Sequence, residues 1–277
     1  MSRNFYCFNS YIFTALIMIK HFILLLSLQA LLGFSLYSQT KDEQGRKQGY
    51  WKKTDEKTGK LLYEGRFKDD KPVGVFKYYN GNDSVKAIID FKADGKTSYA
   101  KHFHYNGKPA AFGKYSDKET KDSVWTYYDE MGTLLSKETY IKGKKNGASY
   151  VYLPDGTVAE IKTYKNGLEE GPYTEYYEKN KLKTKGQYIQ GFREGRFIYY
   201  YPNGAEVANG FFKKDQKNGP WIYRSEDGKI KEKELYKNGV QASQKETEAF
   251  FAKNKTPEPA PAKKASPPAN NKKPGAK

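Results

Sequence analysis

A phrase beginning Gly-x-aromatic returns at a nearly constant interval along most of this chain, and that interval constrains the fold more than any single residue does. The phrase starts at Gly49, Gly74, Ser98, Ser123, Gly147, Gly171, Gly195 and Gly219, so successive starts lie 25, 24, 25, 24, 24, 24 and 24 residues apart. Self-similarity at such a period marks a repeat array. Each copy in an array rests on its neighbours, and the whole presents a long surface that suits binding better than catalysis.

Aligned on those starts, the copies show what each must form. Two residues on stand Trp51, Phe76, Ala100, Trp125, Ser149, Tyr173, Phe197 and Trp221. Five residues on stand Thr54, Tyr79, Phe103, Tyr128, Tyr152, Tyr176, Tyr200 and Arg224. A third row, Phe67, Phe91, Tyr115, Tyr140, Tyr164, Tyr188, Phe212 and Tyr236, precedes the next start, with Tyr115 one place early because its copy carries an extra residue. Runs such as Trp125-Thr-Tyr-Tyr128 favour half-buried strands. Asp155-Gly156, Asn203-Gly204 and Asp227-Gly228 are hairpin turns, and Asn166-Gly167 and Asn238-Gly239 supply a second turn per copy.

The spacing therefore predicts one β-hairpin per copy. A lone hairpin is marginal in water, so rings from adjacent copies must supply the cohesion, at about 0.5–1.5 kcal/mol per pair beyond their area burial. The expected fold is all-β: an elongated single-layer antiparallel sheet of about eight stacked hairpins. Under strict alternation the two first-strand rows fall on opposite faces. Either both faces carry aromatic rows, or a bulge intervenes in each copy. The copies holding Ala100 and Ser149 are expected to be the softest.

The phrase resembles the MORN-repeat family, and more closely its bacterial variant form. The words that carry the likeness are Gly219-Pro-Trp-Ile-Tyr223 through Asp227-Gly228, and Tyr164-Lys-Asn-Gly167 through Gly171-Pro-Tyr173, and it extends over about Gly49 to Gly239. The resemblance implies a twisted antiparallel sheet with a protein-interaction or membrane-associated scaffold role.

The two ends read differently from the array. Residues 1–38 read as a signal peptide: Lys20 and His21 precede the apolar run Phe22 to Leu36, with cleavage expected near Ser38. That run fits an export signal and is short for a membrane span, although an uncleaved anchor is the alternative reading. Either Met1 or Met18 can serve as the start. The single cysteine, Cys7, lies inside this segment, so the mature chain holds no disulfide and no thiolate metal site. The repeat domain occupies 39–244. Residues 245–277, rich in Lys, Pro and Ala, read as a disordered tail. Of the net charge of +17, +2 falls before residue 39 and +5 from 245 onward, which leaves +10 on the array.

A basic excess invites a nucleic-acid reading. An exported chain meets anionic lipid or wall polymer first, and Lys alternates with Glu in stretches such as Lys231 to Glu234, as on a solvated face. No catalytic constellation stands in the sequence: no nucleophile with a base at strand-turn spacing, no phosphate loop, no metalloprotease helix. No cofactor is implied. His102 and His104 project to one side of a strand but lack further ligands for a metal. The candidate interaction or packing row is Tyr79, Phe103, Tyr128, Tyr152, Tyr176 and Tyr200. Exposed, it would stack on sugars or grip a protein strand. Phe103 in that row favours packing, since the hydroxyl is dispensable there. These residues together predict a non-catalytic exported scaffold, in the periplasm or at the cell surface, that binds an envelope protein. A wall-glycan module and a peripheral binder of anionic membrane are the alternatives.

Overall fold

The computed structural model describes residues 39–117 and 119–254. The signal segment expected at 1–38 and the tail beyond residue 254 lie outside the described residues. The chain divides into two compact units, one ending at Gly95 and one beginning at Lys96. Twenty strands form among the described residues, in hairpin order. In the first unit Lys47–Thr54, Leu61–Lys68, Lys71–Tyr79 and Val85–Phe91 pair antiparallel in chain order. In the second unit the same succession runs from Ser98–Phe103 to Ile230–Lys237. The all-β hairpin array expected from the sequence is what forms in each.

Two kinds of turn alternate. At the hairpin tips Gly156 N–H donates to the Leu153 carbonyl and Leu153 N–H to that of Thr157, both at 2.8 Å, with Gly156 at φ 81°. This is a three-residue loop closed by a left-handed residue, a position glycine occupies without steric cost. Between copies the turns hold two residues at positive φ, as at Asn166 (53°) and Gly167 (92°). Their twist matches that of the strands they join. These turns also bond to one another: the N–H groups of Gly143, Gly167, Gly191 and Gly239 donate to the carbonyls of Lys121, Lys145, Glu169 and Lys217, at the matching place in the copy before, at 2.8–2.9 Å. The extra residue of the third copy falls in the longer turn between Ser116 and Thr120, which remain paired.

Both alternatives left open by the sequence hold at once. A register shift follows the fourth position of every copy, as between Tyr78 and Tyr79, Tyr127 and Tyr128, or Tyr199 and Tyr200, and aromatic rows occupy both faces. A second irregularity precedes most starts, and there the leading glycine has positive φ, 101° at Gly147 and 91° at Gly219. Ser123 holds the same conformation at φ 59° without being glycine. Such a conformation costs an L-residue about 1–2 kcal/mol, partly offset by the lower unfolded-state entropy of serine. Ser123→Gly is therefore expected to stabilise the second unit by about 0.5 kcal/mol in urea unfolding.

One expectation is corrected. The disordered tail was placed from residue 245, yet Gln244–Lys253 is an α-helix, α1. Ser243 caps it: its hydroxyl accepts from Glu246 N–H, and the Glu246 carboxylate accepts from Ser243 N–H at 3.0 Å. This reciprocal capping box satisfies two donors that a helix start leaves bare. The helix lies against Ile230–Lys237, with Lys233 Nζ 5.0 Å from the Phe251 ring centre. Ala242 N–H donates to the Leu235 carbonyl as Asn218 N–H does to that of Phe211. Ser243 thus stands where a ninth copy would start, and the chain turns into a helix there.

Candidate interaction surfaces

In each unit one face is built from rings; we call it the ring face. Its centre is the row two residues after each start. Phe76, Trp125, Phe197 and Trp221 are each 2 % exposed or less. What buries them in a single layer is glycine on the preceding strand. A Cβ placed on Gly65, Gly113, Gly186 or Gly210 would overlap the ring of Phe76, Trp125, Phe197 or Trp221 respectively. Each ring lies flat on bare backbone. Where the preceding strand carries a side chain instead, the next copy changes to suit. Ser149 stands opposite Glu138, and both Ser149 and Ala100 are buried. Tyr173, half-buried, stands opposite Lys162, whose Nζ is 5.7 Å from its ring centre.

The third row meets these rings edge-on, Phe67 on Phe76 at 5.1 Å and Phe212 on Phe197 at 5.1 Å. Residues at the fourth position complete the face, Tyr127 beside Trp125 and Tyr223 beside Trp221. A cation just before most starts roofs the rings. Lys121 Nζ lies 4.8 Å from the Trp125 ring and 2.7 Å from Tyr127 Oη; Lys217 Nζ lies 4.6 Å from the Trp221 ring and 2.6 Å from Tyr223 Oη. Lys145 pairs with Glu138 at 2.7 Å. Where Glu169 replaces the cation, Lys162 supplies the charge at 3.1 Å. The ring face is thus internally satisfied, charge by charge.

An open hollow of about 460 Å³ lies in this face around Ala208, between Arg193 and Lys217. Arg193 is held by Asp215 at 2.9 Å and Lys217 by its tyrosines. Asp215 is the one carboxylate among the described residues that line the hollow, and Arg193 engages it.

The row Tyr79, Phe103, Tyr128, Tyr152, Tyr176 and Tyr200 lies past the bulge, on the reverse face, and is half-buried throughout. Its members serve local ends. Tyr128 stacks on Phe112 at 5.6 Å, and Lys137 Nζ sits 5.8 Å from the Tyr152 ring. Burial raises the hydroxyl pKa of Tyr152, Tyr176 and Tyr200. In the first unit Tyr79 Oη and Tyr50 Oη both donate to Glu64, each at 2.7 Å, and Lys52 and Lys77 lie 3.3 and 3.7 Å from it. His102 stacks against Trp125 at 6.0 Å on the ring face, whereas His104 Nε2 meets the Tyr128 carbonyl at 3.0 Å. Among the described residues no group of His, Cys, Asp and Glu is placed to hold a metal.

The Glu64 cluster carries a pH prediction. Hydrogen bonds from Tyr79 and Tyr50, then the Lys52 charge, pull its carboxyl down from an ordinary 4.5 to about 2. A depressed folded-state pKa contributes stability above the unfolded value, lost as pH falls through the folded one. The first unit should accordingly weaken between about pH 4.5 and about pH 2. Glu64→Gln should flatten that part of a plot of Tm against pH while lowering Tm at neutral pH.

Sequence reasoning missed the glycine row under the rings. Its signal was present as Gly two residues before Phe67, Tyr115, Tyr188 and Phe212.

Comparison with known proteins bears on the repeats themselves. A profile of the MORN repeat variant matches residues 145–166, 169–190 and 217–238. Each matched segment runs from two residues before a start to the first residue of the next inter-copy turn. The segment between the last two, with Phe197 and Phe212, has the same strands and the same bulge. A search of the curated proteins finds no match. Among solved structures, a chain of the TcdB2-TccC3 crystal structure is similar over 72% of this chain and 13% of its own, at 9% identity and a TM-score of 0.19. A chain of the TcdB2-TccC3-Cdc42 crystal structure is similar over 70% and 12%, at 10% identity and a TM-score of 0.19. The present chain spans a small part of the length of either, and likeness at that score carries no argument. MORN repeats are a non-catalytic family of protein- and membrane-interaction repeats. Three copies of the array thus match the MORN repeat variant, and each of them is a hairpin of the kind described above.

Proposed function

We propose that this chain is a non-catalytic exported scaffold that binds another protein at the bacterial cell envelope. The observation that carries the reading is the contrast between the two faces of the second unit. The ring face is closed on itself. The reverse face leaves apolar side chains in the open at successive copies, with Tyr99 51%, Phe112 40% and Val124 50% exposed. Contiguous exposed apolar groups on a folded protein mark an interaction site. Export is supported by the apolar run Phe22 to Leu36, and the tail beyond the helix serves as a basic tether.

The test is site-specific photo-cross-linking in the native cell envelope. A photoreactive residue at Phe112 or Val124 should yield one adduct with an envelope protein, and the same probe at Val151 on the ring face should not. Adducts with glycan or lipid alone would replace the reading with wall or membrane binding. Equal adducts from both faces would remove it.

A further inference from the structure

The two units differ in how they treat lysines on the reverse face. In the first, Lys52 and Lys77 flank Glu64 and are neutralised by it. In the second, the places matching Glu64 hold Phe112, Lys137, Ile161, Lys185, Asn209 and Lys233. Cross-strand register joins these into a continuous ladder from Lys101 to Lys233. Lys101 is opposite Phe112, Phe112 opposite Thr126, Thr126 opposite Lys137, and so on through Lys185 and Ile198 to Ile222 and Lys233. The ladder lies opposite the rings, because Phe112 alternates with Gly113, on which the Trp125 ring rests. Every position in it is Lys, Thr, Asn, Tyr or apolar, and none is acidic.

Glu138, Glu160, Glu175 and Glu234 are on the other side; on this face Asp122 is paired with Lys114 at 2.9 Å, and the buried Glu206 accepts from Asn209 at 2.8 Å. Glu138, Glu175 and Glu234 are bound to Lys145, Lys183 and Lys217. Lys101, Lys137 and Lys185 are exposed and form no ion pair among the described residues. Four strand spacings separate Lys137 from Lys185, or about 19 Å. The interval is filled by Tyr150, Ile161 and Thr174, all half-buried. A field of one sign over such a face steers and selects partners of the opposite sign.

We infer that the reverse face of the second unit is the docking surface for an acidic protein partner, whose carboxylates meet Lys101, Lys137 and Lys185 while its apolar side chains cover Phe112 and Val124. This rests on the scaffold reading and names the face and the chemistry of the partner. The apolar groups decide between a protein and a bare polyanion. A simple polyanion would need only the charges, whereas Phe112 stacked on Tyr128 is the kind of aromatic anchor that protein interfaces bury.

The experiment uses the full mature chain and two reversals of equal charge. One is Lys101→Glu with Lys137→Glu and Lys185→Glu. The other, a control, is Lys57→Glu with Lys60→Glu and Lys71→Glu in the first unit. Circular dichroism and Tm establish that each folds. The probe is an acidic copolymer of Glu and Tyr, set beside poly-glutamate and vesicles of phosphatidylglycerol. The reversal on the reverse face should weaken copolymer binding about tenfold or more, and the control by less than about twofold. Phe112→Ser should weaken the copolymer and leave poly-glutamate unchanged. Equal losses in the two reversals would show bulk charge alone and overturn the inference. So would binding to the vesicles that exceeds the copolymer and ignores Phe112→Ser. A reversal that loses copolymer binding but keeps the envelope cross-link would sink this surface and leave the scaffold reading standing. Copolymer binding that survives the reversal would likewise overturn the inference.

Discussion

Trp125→Ala is expected to destabilise the second unit by about 3–5 kcal/mol, the range for removing a buried tryptophan ring. The ring is 1% exposed and touches almost everything that defines the copy. It rests on Gly113, its indole N–H donates to the Lys114 carbonyl at 3.0 Å, Tyr115 crosses it at 4.7 Å, and Lys121 roofs it at 4.8 Å. A single layer has no second sheet to close over the cavity, so little of the loss is recovered by collapse. Because each copy contacts only its neighbours, the damage should be local. Hydrogen exchange should show Ser98–Phe103 through Leu134–Ile141 opening while the strands from Gly195 onward keep their protection. Tyr99→Ala, on the reverse face, should cost less than about 1 kcal/mol. Equal protection throughout would mean that the ring is not what holds the copy.

Gly210→Ala is expected to destabilise by about 3 kcal/mol, and the sign is the informative part. Glycine within a strand is ordinarily a weakness that alanine repairs by about 0.5–1 kcal/mol. Here the added methyl has no room, because it would enter the ring of Trp221, itself 2% exposed. Ring and backbone must part, which is overpacking. A double-mutant cycle isolates the cause. In a Trp221→Ala background the same glycine replacement should become neutral or favourable, a coupling of about 2–3 kcal/mol, at the upper end for residues in contact. Additive losses in urea unfolding would refute the stacking account. The same logic predicts that Ser149→Trp fails alone, against Glu138, and is rescued by Glu138→Gly.

The period, the hairpins, both turn types and the ring rows were legible because each depends on local chemistry that repeats. Asn166-Gly167 can only be a turn, and a Trp or Phe recurring at one offset must meet its equivalents. Why Ala100 and Ser149 interrupt their row was not legible, for a physical reason. A row is judged by its own members, whereas the space at Ser149 is set by Glu138 on another strand. Gly65, Gly113, Gly186 and Gly210 carry no turn signal, and their service as floors for rings appears only when strands are placed in register. Alternation alone left the face of the Tyr128 row open, and its half-burial depends on cross-strand neighbours such as Phe112. Helix α1 was hidden by the composition around it, although Ser243 and Glu246 spell its capping box.

The bonds that link Gly143, Gly167, Gly191 and Gly239 to the turns one copy earlier act as a ruler along one margin of the second unit. A residue inserted at any of these four turns would pull a donor off its carbonyl and push every later copy out of step. At the opposite margin of this unit the links between successive tips start from side chains, Asn106 Nδ2 on the Glu130 carbonyl at 2.7 Å and Asn203 Nδ2 on that of Glu226 at 3.4 Å, and do not tie backbone to backbone. Foreign peptides should therefore be tolerated when grafted at the tips, for example within Pro154-Asp155-Gly156, and rejected at the ruled margin. The array can grow new specificities on one side while its length stays locked on the other.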